Sequence, residues 1–371
     1  MPTWSGILEE LTKLGDDPAK FDTIRRTYLT KLFALTGRNV IVYATKWTQG
    51  DAPPSMTSIT NEDLSGLMEV VHGLTGPNLD LILHSPGGSP AAAEALVKYI
   101  RSKFDHVRVI VPQMAMSAAT MISCSANSIV MGKHSFLGPI DPQFLLPTGV
   151  GDSRRFVPAD AVKREFDLAV QECSDPKKVG AWMWKIQQYG PGLLIECDNM
   201  IALSKLLVKE WLEAYMFKGE ADAATKAEHI GEWLGSHDQF KTHARPLDRD
   251  SLAAEGLKIE NMESNQAEQD AFLTVFHTFM HTFNGTGAVK IIENHLGKAY
   301  LKQVQQVRML PMQMPIQLPI PGQPLPGQPL PGQPLPGAPV PGEQPSPKPE
   351  KGKAKKADAK SGSRRKAARK R

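Results

Sequence analysis

Short apolar runs alternate with helix-like segments through residues 79–131, and this alternation limits the chain to a few folds. The segments follow one another as 79–84 (strand), 91–104 (helix), 107–111 (strand), 117–126 (buried helix) and 128–131 (strand). Strands that are separated by helices of this length form parallel βα units. The sequence therefore predicts the α/β fold class.

Periodic segments outside this stretch are mostly typical of helices. Thr60 lies three residues before Asp63, which is a cap signal for a helix that continues to residue 71. Elsewhere, apolar residues recur at three- or four-residue steps. These patterns predict a strand at 40–43 and helices within 1–36 and near 160–173, 193–216, 221–234 and 266–283.

The C-terminal part of the chain has a different composition. Fifteen of the 30 prolines lie between Pro311 and Pro349, a density that excludes helix and sheet interiors. Residues 351–371 carry a net charge of +10, which leaves −6 for the first 350 residues. We therefore expect four regions, namely a helical arm (1–36), an α/β domain with a helical C-terminal part (37–305), a Pro-rich linker (306–349) and a disordered basic tail (350–371).

Several classes of protein are disfavoured by what the sequence lacks. The three scattered cysteines indicate reduced thiols, because an odd number without close pairing does not suit a disulfide framework. Residues 1–14 do not resemble a secretory signal, and no apolar run approaches the ~18 residues of a membrane span. We expect a cytoplasmic protein with no membrane span. No nucleotide-binding or Cys-x-x-Cys motif occurs, so we expect no cofactor.

Two histidines have a spacing that a metal site could use. His277 and His281 are four residues apart, which places them on one face of a helix. No third ligand lies nearby in the sequence, and phenylalanines surround the pair. We interpret this segment as a partly buried structural helix and expect no metal.

The first candidate functional motif is the Ser-Pro-Gly-Gly sequence that follows the strand at 79–84. Gly87 and Gly88 allow a sharp turn that exposes backbone N–H groups at the start of a helix. Such groups can stabilise an anion or a developing oxyanion. A structural turn that needs glycine is the alternative interpretation, and it is the more common one for a glycine pair alone.

The second candidate motif is Met-Ala-Met-Ser-Ala-Ala-Thr-Met at residues 114–121. Ser117 lies at a predicted strand-to-helix junction among small residues, where its hydroxyl and the N–H of Ala118 can face the same place. The motif is not Gly-x-Ser-x-Gly, which disfavours an α/β-hydrolase. Taken alone, Ser117 is better explained as a buried helix-capping serine.

Together these motifs resemble the Clp protease and crotonase superfamily. The closer resemblance is to the serine dehydrogenase proteinase (SDH) family, a Clp-fold group related to signal peptide peptidase A. The segments that carry it are 81–88, 116–121, 137–143, 242–247 and 290–295. Over roughly residues 35–300 the resemblance implies a ββα superhelix with helical additions and serine endopeptidase activity. It also implies a polypeptide substrate and a homo-oligomer.

The resemblance also implies roles for individual residues. Ser117 matches the nucleophile, and the Ser-Asp-His order of the family points to Asp141 and His243. The Clp order does not fit, because a histidine would be needed about 25 residues after Ser117, where Gly-Pro-Ile-Asp stands. The imidazole would take the serine proton and the carboxylate would orient the ring. The implied oxyanion donors are Gly87, Gly88 and Ala118.

Other bases and other functions stay open at this point. His237 precedes His243 by only six residues, and the Ser–Lys dyad of signal peptide peptidase relatives would assign the base to Lys163. His84, beside the glycine pair, could line the pocket. The fold could instead serve non-proteolytic acyl chemistry. A scaffold is a further alternative, with a basic tail that binds anionic partners nonspecifically.

Overall fold

Twelve strands and thirteen α-helices occur in residues 4–50, 52–147 and 153–304, which a computed structural model of the protein describes. The strands are β1 (Asn39–Thr45), β2 (Asn78–His84), β3 (His106–Val111), β4 (Met114–Ala115), β5 (Ser128–Met131), β6 (Phe136–Leu137), β7 (Gln143–Pro147), β8 (Arg154–Pro158), β9 (Leu247–Asp248), β10 (Ile259–Asn261), β11 (Ala288–Asn294) and β12 (Ala299–Gln303). The predicted linker and basic tail lie outside the described residues.

The helices are of very different lengths. They are α1 (Trp4–Lys13), α2 (Lys20–Thr36), α3 (Pro54–Thr57), α4 (Asp63–Val71), α5 (Pro90–Arg101), α6 (Ala118–Cys124), α7 (Ala159–Glu172), α8 (Pro176–Ile186), α9 (Leu193–Trp211), α10 (Ala223–Gly235), α11 (His237–Phe240), α12 (Arg249–Ala254) and α13 (Gln266–Gly285). The predicted helix over 193–216 is regular only to Trp211, because the turn Leu212–Met216 is π-helical.

A seven-stranded sheet forms the centre of the fold, in the order β10-β5-β3-β2-β1-β11-β12. The first five strands are parallel to one another, and β11 runs antiparallel to them. Strand β12 pairs antiparallel with β11 and therefore runs in the same direction as the first five. The βα alternation of residues 79–131 supplies β2, β3 and β5 of this sheet. The predicted α/β fold class is confirmed.

Alternating residues of each strand pack against helices on opposite faces of the sheet. On β1, Ile41 and Tyr43 belong to a core with α4, α5, α6 and α10, whereas Val40 and Val42 pack with α2 and α13. Helices therefore cover both faces of the sheet, as a parallel sheet requires.

Two smaller sheets lie outside the main one. Strands β4, β6 and β9 form the first, and the hairpin β7–β8 forms the second. The hairpin packs with α7 and α9 around a small apolar core that includes Val162 and Cys197. An isolated bridge between Ser85 and Ala115 joins the end of β2 to β4. This bridge brings together the two turns that follow β2 and β3.

The start of α4 differs from the predicted cap. The Asp63 carboxylate accepts a hydrogen bond from the Thr60 N–H at 2.8 Å, whereas the Thr60 hydroxyl has no protein partner within the described ranges. Asp63 therefore binds the backbone that precedes the helix, and the predicted cap by the threonine side chain does not form. The segment 290–295, one of those that carry the resemblance, forms most of the buried strand β11.

Candidate active site

Ser117 occupies a strained turn between β4 and α6. Its backbone angles are φ 54° and ψ −121°, in the left-handed half of conformational space that serine rarely adopts. The side chain makes no helix-capping hydrogen bond, so the cap interpretation of Ser117 is wrong. Strain of this kind is common at catalytic turns, where the surrounding structure holds it in place.

The glycine pair lies directly against Ser117. Two backbone hydrogen bonds fix it there, from Ser85 N to Met114 O (3.2 Å) and from Met116 N to Ser85 O (2.9 Å). A Cβ atom added at Gly87 would lie only 2.6 Å from Ser117 Cβ. Gly87 also has φ +94°, so both the close approach and the backbone angle require glycine.

Two of the three predicted oxyanion donors make no hydrogen bond within the described part of the protein. The Gly87 N–H donates to the Ser85 hydroxyl at 3.2 Å. In the part of the chain that the structure describes, no hydrogen bond is made by the N–H of Gly88 or of Ala118. Gly88 lines the same cleft as Ser117, and Ala118 follows Ser117 directly in the chain, so both N–H groups remain candidate oxyanion donors.

Asp141 binds two histidines at once. His243 Nδ1 lies 2.7 Å from Asp141 Oδ1, and His237 Nδ1 lies 2.9 Å from Asp141 Oδ2. The carboxylate is only 4% exposed, so both contacts are largely shielded from water. Because Nδ1 of each ring faces the carboxylate, Nε2 is the nitrogen that remains to exchange a proton.

Only one of the two histidines shares a cleft with Ser117. A cleft of about 590 Å³ is lined by Ser117, the two glycines and His243, together with the apolar side chains of Trp47, Met121, Ile140, Phe156 and Met200. His237 instead lines a separate cavity of about 450 Å³ on another side of Asp141. The structure thus brings Ser117, Asp141 and His243 into one region, with His237 behind the carboxylate.

The lysine alternative lies away from the cleft. Lys163 on α7 is partly exposed and pairs with Asp198. The hydrogen bond to Asp198 raises the pKa of Lys163, which keeps the amine protonated and unable to act as a base. Lys163 is not among the residues that line the cleft with Ser117.

His84 is fully buried between aromatic rings beside that cleft. Burial lowers the pKa of His84 to about 3, so the ring is neutral at physiological pH. Its Nε2 lies 3.2 Å from Thr48 Oγ1, and its ring contacts those of Trp47 and Phe276. Trp47, and not His84, faces the cleft.

The two histidines of α13 hold the N-terminal helix. His281 Nε2 donates to the Trp4 carbonyl at 3.0 Å, and the ring centroids of Trp4 and His281 are 3.9 Å apart. Residues 4–50, 52–147 and 153–304 contain no group of three or more metal-ligating side chains. None of the helices described here is long and apolar enough to span a bilayer.

A buried ion pair near the glycine pair was not predicted, although Asp63 was expected at the start of a helix and residues 290–295 carry the resemblance. Lys290 of β11 and Asp63 of α4 form an ion pair in which neither side chain is exposed. A lysine within the apolar run Val-Lys-Ile-Ile is a signal for a buried, paired cation. The identity of its partner, 227 residues away, has no local signal.

Residues 59–149 match a protein-family model described as ClpP-like SDH-type serine proteinase. The matched segment includes the glycine pair, Ser117 and Asp141, and it ends before both His237 and His243. The resemblance to the serine dehydrogenase proteinase family is confirmed by this match.

Two uncharacterised proteins of Methanocaldococcus jannaschii are similar to this chain, at 37% identity over 91 residues and 35% over 92 residues. Each alignment covers 24% of this chain and 32% or 31% of the relative, so the chain spans about a third of the relatives' length. A solved structure, a mutant of the 1510-N membrane-bound stomatin-specific protease, is 16% identical. That alignment covers 54% of this chain and 74% of the other, with a TM-score of 0.30.

Proposed function

We propose that the protein is a serine endopeptidase that cleaves polypeptides through an acyl-enzyme on Ser117. The observation that carries this proposal is the strained turn of Ser117, which shares one cleft with His243, itself bound to the buried Asp141. The match of residues 59–149 to ClpP-like serine proteinases supports the same activity.

In the proposed mechanism, His243 is the general base. Ser117 Oγ attacks the carbonyl carbon of the peptide bond while His243 Nε2 takes the hydroxyl proton. Asp141 accepts from Nδ1–H and stabilises the imidazolium that forms. The same proton then passes to the leaving amine, and a water molecule attacks the acyl-enzyme by the reverse route.

The Ser117 hydroxyl makes no hydrogen bond with any of the described residues, including His243. Catalytic hydrogen bonds of this kind often tighten only when substrate binds. Substrate in the cleft would also displace water from the serine, which strengthens the contact.

The proposed oxyanion hole consists of the N–H groups of Gly88 and Ala118. Neither group has a partner inside the described protein. Gly88 shares the cleft with Ser117, and Ala118 is the next residue in the chain. The role of Gly87 is then to let the turn approach Ser117, with its own N–H held by Ser85. Loss of one such donor typically lowers kcat by about 10²-fold.

We further propose that the protein is a homo-oligomer, as the family resemblance implies, and that it is cytoplasmic, as the scattered cysteines and the sequence of residues 1–14 suggest. Large apolar side chains on the surface support assembly, including Trp184 at 63% and Ile195 at 64% exposure. Surfaces of this kind often mark protein contacts.

Labelling with a fluorophosphonate tests the proposed nucleophile. The reagent should modify the wild-type protein at Ser117, as identified by peptide mass spectrometry, and should not modify Ser117→Ala. Ser123→Ala is the matched control, since this buried serine of α6 donates to Ala119 O and should not affect labelling. A folded wild-type protein that is not labelled would contradict the proposal.

The two histidine variants test the proposed base. His243→Ala should lower kcat/KM on a peptide substrate by about 10³-fold, because the base is lost. His237→Ala should lower it only about tenfold, since this ring orients the carboxylate from outside the cleft. Equal losses of kcat/KM for the two variants, or a larger loss for His237→Ala, would show that His243 is not the base.

A further inference from the structure

A fully buried ion pair lies beside the wall of the cleft. Lys290 Nζ is 2.7 and 2.8 Å from the two carboxylate oxygens of Asp63, and both side chains have no exposed surface. Taking two charges out of water is costly, and apolar residues of similar volume often give a more stable protein. The pair therefore requires an explanation other than stability.

The ion pair holds the backbone of residues 58–60 at two points. Lys290 Nζ donates to the Ser58 carbonyl at 2.7 Å, and Asp63 Oδ2 accepts from the Thr60 N–H at 2.8 Å. The Tyr43 hydroxyl donates to the same carboxylate oxygen at 2.8 Å. Burial raises the pKa of Tyr43 well above its ordinary value, and the Asp63 charge adds to this, so Tyr43 remains a neutral donor.

Residue 59, between these two points, binds the glycine pair. Ile59 N donates to Gly87 O at 2.7 Å, and Ser89 N donates to Ile59 O at 3.0 Å. A Cβ atom at Gly88 would collide with the backbone of Ile59, so the two segments are in closest contact there. Because Gly87 C=O and Ser89 N–H point toward Ile59, the N–H of Gly88 between them points to the opposite side.

We propose that Lys290 and Asp63 are positioning residues for the oxyanion donor of Gly88. Their hydrogen bonds to Ser58 and Thr60 fix the position of the 58–60 segment. The hydrogen bonds of Ile59 to the glycine turn then fix the direction of the Gly88 N–H. An apolar pair could fill the same volume but could not hold a carbonyl and an N–H group at set positions. This inference rests on the proposed peptidase function.

The double substitution Lys290→Met with Asp63→Leu tests this role. It removes both charges together, so no unpaired charge is buried and the protein should fold. We expect kcat on a peptide substrate to fall by 10- to 100-fold with KM changed by less than about twofold, because the donor acts mainly in the transition state. The rate of fluorophosphonate labelling at Ser117 should fall in parallel.

A second buried ion pair on the same strand provides the control. Arg25 Nε and Glu293 Oε2 are 2.6 Å apart and fully buried, but this pair lies on the opposite face of β11, next to α2 and α13. Glu293→Gln should lower the melting temperature without lowering kcat. The proposed role is overturned if Glu293→Gln lowers kcat as much as the double variant, at a temperature at which both are folded.

Lys290→Met alone gives a second measurement, since it keeps Asp63 and its bond to Thr60. Its kcat should lie between those of the wild type and the double variant. If the wild type is labelled at Ser117 and the variants are labelled at the same rate, only the positioning role fails. If the wild type is not labelled at all, the proposed function and this role fail together.

Discussion

Ser117 is held in a backbone conformation that costs stability. A left-handed conformation in a residue other than glycine costs on the order of 1–3 kcal/mol, and no capping hydrogen bond of the side chain offsets it. The same turn places the Cβ atom of Ser117 against Gly87. The strained conformation therefore lowers stability, but it also brings the nucleophile into contact with the glycine pair.

Replacing Ser117 by glycine should separate strain from activity. Ser117→Gly removes the Cβ atom that makes the conformation costly, so we expect a gain of about 1 kcal/mol in the free energy of unfolding after the entropy cost of glycine. Ser117→Ala keeps the Cβ atom and should gain nothing. Both variants should be inactive. Denaturant unfolding measures the difference, and equal stabilities for the two variants would show that the turn is not strained.

The residues of the candidate site differ in how far the sequence alone indicates them. The strand–turn–helix pattern makes Ser117 and the glycine pair candidates for a local physical reason, although each taken alone is better explained as a structural feature. Asp141 and His243 came only from the family resemblance, since they are 102 residues apart and no local pattern links them. That His237 shares the carboxylate of Asp141 depends on packing between distant segments. The assignment of the triad stays a prediction.

At the scale of elements, the hairpin β7–β8 completes one side of the cleft. Phe156 lines the cleft from β8, and Met200 lines it from α9. Both elements share the small apolar core that also includes α7. These elements lie outside the βα units that carry Ser117. Substitutions in them can therefore change the shape of the cleft without moving the nucleophile.

Shortening the side chain at position 156 should weaken substrate binding. Phe156 is 56% exposed at the edge of the cleft, where a bound peptide would cover it. We expect Phe156→Ala to raise KM for an apolar peptide about three- to tenfold with little change in kcat, because the contact is made equally in the ground and transition states. Leu168→Ala, which removes an exposed side chain of α7 outside the cleft, is the control. A fall in kcat with KM unchanged would contradict this role.

Element boundaries were predictable where the apolar pattern was continuous. The apolar pattern of β5 is unbroken, and those of β2 and β3 are each interrupted by one charged residue, Asp80 and Arg108. Strand β11 instead contains three polar residues, Lys290, Glu293 and Asn294, which obscure its apolar pattern. Each of these three side chains is buried with a partner from a distant part of the chain. The strand forms because its polar groups are satisfied after folding, and that information is not local.

At the scale of the whole molecule, charge divides the chain into two parts of opposite sign. Residues 1–350 carry a net charge of −6 and residues 351–371 carry +10. A dense cluster of cations binds polyanions by releasing their counterions, and this binding weakens steeply with salt. The tail has no aromatic residue to stack on nucleic-acid bases, so it has no means to distinguish one polyanion from another.

Truncation should therefore separate catalysis from recruitment. Deleting residues 311–371 should leave kcat/KM on a small peptide within about twofold, because each residue assigned to the mechanism lies before residue 295. Binding to anionic vesicles or to a DNA duplex, measured at 50 and 200 mM salt, should be strong and salt-dependent only for the full chain. Replacing the Lys and Arg residues of 351–371 by Gln keeps the length and should abolish that binding too. Loss of small-peptide hydrolysis on truncation would instead make the tail part of the catalytic unit.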